Sequence, residues 1–244
     1  MENTQRVVSS EAGRNRTSIF QALLRGHRFS VCEEPVDVGR AIDVRRHVYR
    51  GVCGYDVPVP DEYDGRSWVL LAEHLRSGRA VGSMRVTPRS LGPLEAEEYF
   101  RLPALLTAPG VVEITRLAIR PGSRDSRRFL PVVVLGLYKL ACHFTRKLHA
   151  SHVVICSRPE RSFTYQWLGF TRTGLTACYA KLANAEHELL TCDVRGDMEQ
   201  HRAHRYWEFV FETDHPEVSV PDGVPLPGIG IAEMPGGERL RGTA

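Results

Sequence analysis

Six charged residues and two tyrosines in the first half of the chain have the types that bind and move charge. Arg45 is followed by Tyr49 and Tyr55. Asp61 and Asp64 lie three apart, Arg85 closes a small and apolar run, and Glu113 precedes Arg116 by three. A carboxylate can accept a proton from a reacting group, and an arginine presents a fork of donors to an anion. Asp61, Asp64, Arg45 and Arg85 therefore have two readings. They shape a pocket for a ligand that carries both charges, or they only pin the loop 51–64 to its neighbours. Glu113 also has two, a proton acceptor or a structural ion pair with Arg116.

These side chains need elements to hold them. Val38, Ile42, Arg45 and Tyr49 recur at helical spacing, so a helix is expected over 36–50, entered through Glu33-Glu34-Pro35. Two glycines and two prolines mark 51–64 as a loop. Apolar runs at 67–75 and 80–87, joined by Arg76-Ser77-Gly78-Arg79, predict a hairpin ending at Arg85. A helix is expected over 94–106, a strand over 111–119 and a long helix over 126–148, with Asp125 or Ser126 as its N-cap.

Further elements are a helix at 17–24, strands at 27–32 and 152–156, and a helix at 159–168 ended by Gly169. A strand pair at 171–181 and 188–194 and a last helix at 196–212 complete the chain. The sum is an α/β chain with one mixed sheet and helices on both faces. Only 111–156 needs a parallel crossover. Residues i and i+3 of a flat strand face opposite ways, so Glu113 and Arg116 share a site only if a bulge realigns them. The domain reading is a flexible arm at 1–16, a single domain at 17–213 and a Pro/Gly-rich tail or docking arm at 214–244.

Composition excludes several classes. Thirty-two basic against 29 acidic residues leave +3, which permits an acidic partner without demanding nucleic acid. No basic stretch is interleaved with a nucleic-acid-binding motif. The six cysteines include no CxxC pair, which fits reduced, buried thiols. Residues 1–16 lack the apolar stretch of a secretory leader, and the run 132–138 is far short of the ~20 residues of a membrane span. A soluble, cytoplasmic protein is expected. His201 and His204 share a helical face without a third ligand, and Cys142, His143 and His149 form no nucleophilic pair, so no metal site and no covalent cysteine route are expected.

The pattern Arg45-x-x-Val48-Tyr49, Tyr55, Asp61-Glu62-Tyr63-Asp64, Gly82-Ser83-Met84-Arg85 and Glu113-Ile-Thr-Arg116 resembles the acyl-homoserine lactone synthases. It is more similar to the N-acyl amino acid synthases and exosortase-associated acyltransferases. All are GNAT-like acyltransferases. The resemblance covers about residues 35 to 195, and the stretch DEYDGRSWVLLAEHLRSGRAVGSMR at 61–85 carries most of it. Val59 stands where lactone synthases usually carry a further acid, and Tyr55 replaces their usual tryptophan. Both departures suit the amino-acid branch.

The resemblance implies a GNAT-like fold and a fatty acyl transfer from a thioester to the α-amino group of an amino acid, by direct attack in a ternary complex. Glu113 and Arg116 then become catalytic, with Glu113 as base through a water. Arg45, Tyr49, Tyr55, Asp61, Asp64 and Arg85 become the acceptor site. Strand amides near Leu117 and Ile119 are the implied oxyanion donors and thioester contacts. The loop before the long helix lacks the glycine-rich pattern of coenzyme A users. Its Arg124, Arg127 and Arg128 suit an acidic acyl carrier protein, or are a solvated basic turn. The implied co-substrate is acyl carrier protein or acyl-CoA, with no bound cofactor. Residues 132–140 with Phe100, Leu102, Leu105 and Leu106 wall an acyl tunnel or are plain core. The competing functions are a lactone synthase using S-adenosylmethionine and a non-catalytic module that binds an acyl carrier or lipid.

Overall fold

The hairpin forms as β2 (Trp68–His74) and β3 (Arg79–Pro88), turning at Gly78 with φ 62°. The computed structural model describes residue 22 and residues 24–122, 131–194 and 206–231. The remaining strands in chain order are β1 (His27–Val31), β4 (Val111–Ile119), β5 (His152–Ser157), β6 (Thr171–Tyr179), β7 (Ala185–Asp193) and β8 (Val218–Ser219). They form one mixed sheet in the order β6-β7-β5-β4-β3-β2-β1-β8. β4 and β5 run parallel, as the strand-helix-strand unit requires. β8 also runs parallel, beside β1.

Among the described residues three full helices cover the sheet: α1 (Pro35–Arg46), α2 (Val132–Lys147) and α3 (Pro159–Gln166). α1 starts with Pro35 in its first turn, where a missing N–H costs nothing, and ends with Arg45 and Arg46 near its negative pole. Both sheet faces are apolar because both are covered. On one, Phe29, Leu70, Met84 and Ile114 pack with Leu137, Leu140 and Phe144 of α2. On the other, Val69, Leu71 and Ala118 pack with Val38, Ala41 and Ile42 of α1. Glycine lets α2 sit this close. A Cβ at Gly136 would stand 2.2 Å from the Phe29 ring.

Several expected elements come out differently. The helix over 36–50 stops at Arg46 and continues as a wide turn, His47–Val52, that carries Tyr49. The stretch 94–106 is not a helix but two short turns, Glu95–Glu98 and Ala104–Thr107. Pro103 lacks a donor and disfavours helix in the residue before it. Leu94, Phe100 and Leu106 instead pack on Tyr179 and Leu189. Of the helix over 196–212, the described part is a wide turn, Glu208–Glu212. α2 holds this segment through its cations. The Lys139 ammonium donates to the carbonyls of Phe209 and Thr213, and Arg146 donates to that of Phe211 at 2.5 Å.

Residues 214–231 lie along the body. The Trp68 indole N–H donates to the Pro225 carbonyl at 2.7 Å, and Ile231 is buried beside α1. Residues 132–140 behave as core: Val133, Leu135, Leu137 and Leu140 join the main cluster. Leu105 is exposed. The expected arm at 1–16, the helix cap at 125–126 and His201 and His204 lie outside the described residues.

Candidate active site

A bulge in β4 does what the Glu-x-x-Arg spacing needs. Ser83 of β3 faces Ala118 and Arg85 faces Thr115, so two steps on β3 match three on β4. Arg116 takes φ 55° at the extra residue. Val112 and Ile114 point into the α2 side, while Glu113, Thr115 and Arg116 share the other face. Non-glycine residues rarely adopt positive φ, and such strain gathers at functional sites.

On that face three arginines meet three carboxylates. Arg45 of α1 bonds Asp64 at 2.6 Å. Arg85 bonds Asp61, reaches Glu95 at 2.6 Å and Asp64 at 3.5 Å, and donates to the Thr115 hydroxyl at 3.0 Å. Arg116 completes the ring on Asp61 at 2.6 Å and Glu95 at 2.8 Å. The turn at Asp64–Arg66 fixes the aspartates, since Asp64 accepts the Asp61 N–H at 2.8 Å and Asp61 accepts that of Tyr63 at 3.0 Å. All six groups are buried or nearly so. Burial alone would raise the Asp61 carboxyl, but Arg85, Arg116 and Arg45 outweigh it and hold Asp61 below the usual carboxylate range.

Glu113 stands apart from this ring. It is fully buried, and the alternative reading, an ion pair with Arg116, does not form. Its carboxylate accepts the backbone N–H groups of Glu95 and Ala96 at 2.7 and 3.1 Å. Burial first, and then the charge of Glu95, push it up to about 8, against Arg85 and those two N–H groups. A carboxyl in that range can hold or release a proton near neutrality, which suits a general base.

Glu113 also marks a fork. β4 and β5 pair only over 111–113 and 152–154. Beyond that the strands part around a cavity of about 250 Å³. Ile114, Thr115, Arg116 and Leu117 line it from β4, and Ile155, Cys156 and Ser157 from β5. Glu95 and Glu113 complete its acidic lining. Tyr49 and Tyr55 close one side. The Tyr49 hydroxyl donates to the Leu117 carbonyl at 3.2 Å, and burial pushes that phenol up to about 12. Tyr138 of α2 and Tyr165 of α3 hydrogen-bond to each other on the wall. Arg158 and Arg161 stand at the start of α3, where Arg158 donates to the Tyr55 hydroxyl at 2.7 Å.

Of the residues singled out in the sequence, Tyr49, Tyr55, Glu113, Arg116 and Leu117 line the cavity. Arg45, Asp61, Asp64 and Arg85 turn toward one another behind it, and Ile119 packs into the α2-side core. Arg124, Arg127 and Arg128 lie outside the described residues. Tyr138 comes from the run 132–140 read as tunnel wall or core, whereas Glu95, Arg158, Arg161 and Tyr165 carry no such reading in the sequence. The signal for Glu95 is the acid-rich run 95–98, and the helix expected there gives it no definite facing. Burial raises the Cys156 thiol well above its ordinary value, so it is no ready nucleophile. Among the described residues no group of three or more metal-ligating side chains gathers, and no helix is long and apolar enough to cross a membrane.

Comparison with solved structures returns the same architecture. FeeM, an N-acyl amino acid synthase from uncultured soil microbes, superposes with TM-score 0.58 at 16% identity, covering 74% of this chain and 97% of its own. A CoA-dependent acyl-homoserine lactone synthase, BjaI, solved with SAM and isopentyl-CoA, gives 0.54 at 17% identity over 88% of this chain and 99% of its own. A putative N-acetyltransferase from Lactobacillus plantarum gives 0.52 at 12% identity, over 69% and 99% of the two chains. These likenesses establish a GNAT-like fold. No curated protein matches. The family model of the N-acyl amino acid synthase FeeM matches residues 43–193, from α1 through the bulge and the fork to the end of β7. With more than half of its length so matched, the chain belongs to the N-acyl amino acid synthase FeeM family and is an acyltransferase.

Proposed function

We propose that the protein joins the acyl group of a thioester to the α-amino group of an amino acid. The amine nitrogen bonds to the thioester carbon, the carbon–sulfur bond breaks, and the amine proton leaves through a water to Glu113. The thiolate takes a proton from solvent. The edge of β4 beyond Glu113, near Leu117 and Ile119, has no strand beside it on the β5 side and offers amides to the oxyanion. The observation that carries this reading is Glu113 at the last rung before the fork, lining the cavity and raised to about 8.

Direct attack is supported by the cysteines. Cys156 on the cavity wall and Cys142 are both raised by burial, which disfavours an acyl-cysteine intermediate. The donor is an acyl carrier protein, recognised by Arg124, Arg127 and Arg128 ahead of α2, with coenzyme A as the competing carrier. The enzyme acts in the cytoplasm, where the free thiols of all six cysteines stay reduced.

The test is a reconstituted reaction. Purified protein is incubated with a fatty acyl thioester, on acyl carrier protein or on coenzyme A, and the twenty amino acids. N-acyl amino acids by mass spectrometry support the reading, and the faster donor names the carrier. If S-adenosylmethionine is instead required and methylthioadenosine released, the reaction is lactone synthesis. An intact thioester beside a tightly held carrier marks a binding module.

A further inference from the structure

The ring of ion pairs leaves few cations free to meet a ligand in the cavity. Arg45 and Arg85 are shut behind the wall and bonded to Asp61, Asp64 and Glu95. Arg116 reaches the cavity, yet its guanidinium is held by Asp61 and Glu95. The roles first read for Arg45 and Arg85, as arginines for a substrate carboxylate, therefore fall to other residues.

Two other arginines line the same cavity. Arg158 keeps 43% of its side chain exposed, donates to the Tyr55 hydroxyl, and lies 4.0 Å from Glu160, beyond hydrogen-bond distance. Arg161 is exposed and has no side-chain partner among the described residues. Glu95 and Glu113 line the same cavity, and of the two only Glu113 is free of ion pairs among the described residues. A cavity lined by one acid free of ion pairs, Glu113, and by two arginines with no carboxylate at hydrogen-bond distance matches a molecule bearing an amine and a carboxylate. A simple amine would leave the arginines without a counter-charge.

We infer that Arg158 and Arg161 determine acceptor specificity by binding the carboxylate of the amino acid whose amine is acylated. Tyr55 is a positioning residue that holds the Arg158 guanidinium toward the cavity. The inference rests on the acyltransfer reading above and adds the acceptor's second charge as a requirement. The alternative source of an anion here is a phosphate of the thioester carrier, and the test separates the two.

The experiment measures initial rates of the full chain with a fatty acyl thioester, on acyl carrier protein and on coenzyme A in parallel. The acceptors are the best of the twenty amino acids and its carboxamide, which keeps the amine and loses the carboxylate charge. The wild type should favour the amino acid by about 10- to 100-fold in kcat/KM, the value of hydrogen bonds to a charged group. Arg161→Gln and Arg158→Gln should raise the acceptor KM and draw that preference toward one, with the donor KM unchanged. Arg161→Lys should recover part of it. A preference unaltered in both Gln variants overturns the inference, and so does a rise confined to the donor KM, which would mark a phosphate site. Wild-type protein that acylates no amine at all contradicts the acyltransfer reading and the inference with it.

Discussion

Glu113 and Glu95 meet through backbone, not through a shared cation. Glu113 accepts the Glu95 N–H at 2.7 Å, while the Glu95 carboxylate turns away to Arg85 and Arg116. Glu95 is thus neutralised by two guanidinium groups. Glu113 has no ion-pair partner among the described residues, and it lines the cavity. Two adjacent acids are driven apart in role by their surroundings.

The first consequence is a pH profile. A base works when ionised, so kcat/KM should climb with pH and level off above about 8. Glu113→Gln should flatten that limb and lower kcat/KM by about 10²- to 10⁴-fold. A profile that keeps its limb in the variant assigns the titration to another group.

Stability should carry the same signature with a defined sign. Folded Glu113 is raised from 4.5 to about 8, so it favours the folded state fully below 4.5, and that contribution is lost as pH rises through about 8. Asp61 is held below its ordinary 3.8 and works in the opposite sense, its contribution present above 3.8 and lost on further acidification. Denaturant unfolding from about pH 5 to about pH 9 should show wild type losing stability relative to Glu113→Gln as pH rises.

Breaking the ring should cost more than an ordinary surface pair. Asp61→Asn leaves Arg85 and Arg116 short of a carboxylate in a buried site and should destabilise by about 3–5 kcal/mol. Arg46→Gln, which removes an exposed pair with Asp43 and a long 3.5 Å bond to the Val59 carbonyl, should change stability by less than about 1 kcal/mol. Urea midpoints of the two variants compare these directly.

Gly136 tests the seating of α2 on the sheet. Its Cβ would meet the Phe29 ring at 2.2 Å, so Gly136→Ala should destabilise by about 1–3 kcal/mol despite alanine's better helix propensity. Gly136→Ala with Phe29→Leu should recover part of the loss.

Local chemistry made much of this readable in advance. β2, β3 and β4 follow from apolar runs bounded by turn residues, and the parallel pair β4 and β5 from the helix between them. The charged ring was visible as residue types at Arg45, Asp61, Asp64, Arg85 and Arg116, but not as a closed circuit. Its sixth member, Glu95, sits in a run of acids whose facing is decided by Glu113 capping the turn and by Phe100 packing under Tyr179. The bulge at Arg116 was foreseen as a need, because strand alternation forbids the pairing otherwise. Residues 214–231 read as a tail or docking arm from their Pro and Gly content, and β8 and the Trp68 bond to Pro225 dock them on the sheet. Those contacts span most of the chain, and no local pattern announces them.

The central claim is that this fork makes an amide from a thioester and an amino acid. Mass spectrometry of the reconstituted reaction tests it most directly, with Glu113→Gln run in parallel. The account predicts N-acyl amino acids from the wild type, a free thiol released in equal amount, and a rate at least about 10²-fold lower in the variant. Consumption of the thioester with no acyl-amine product, or equal rates from both proteins, would contradict it.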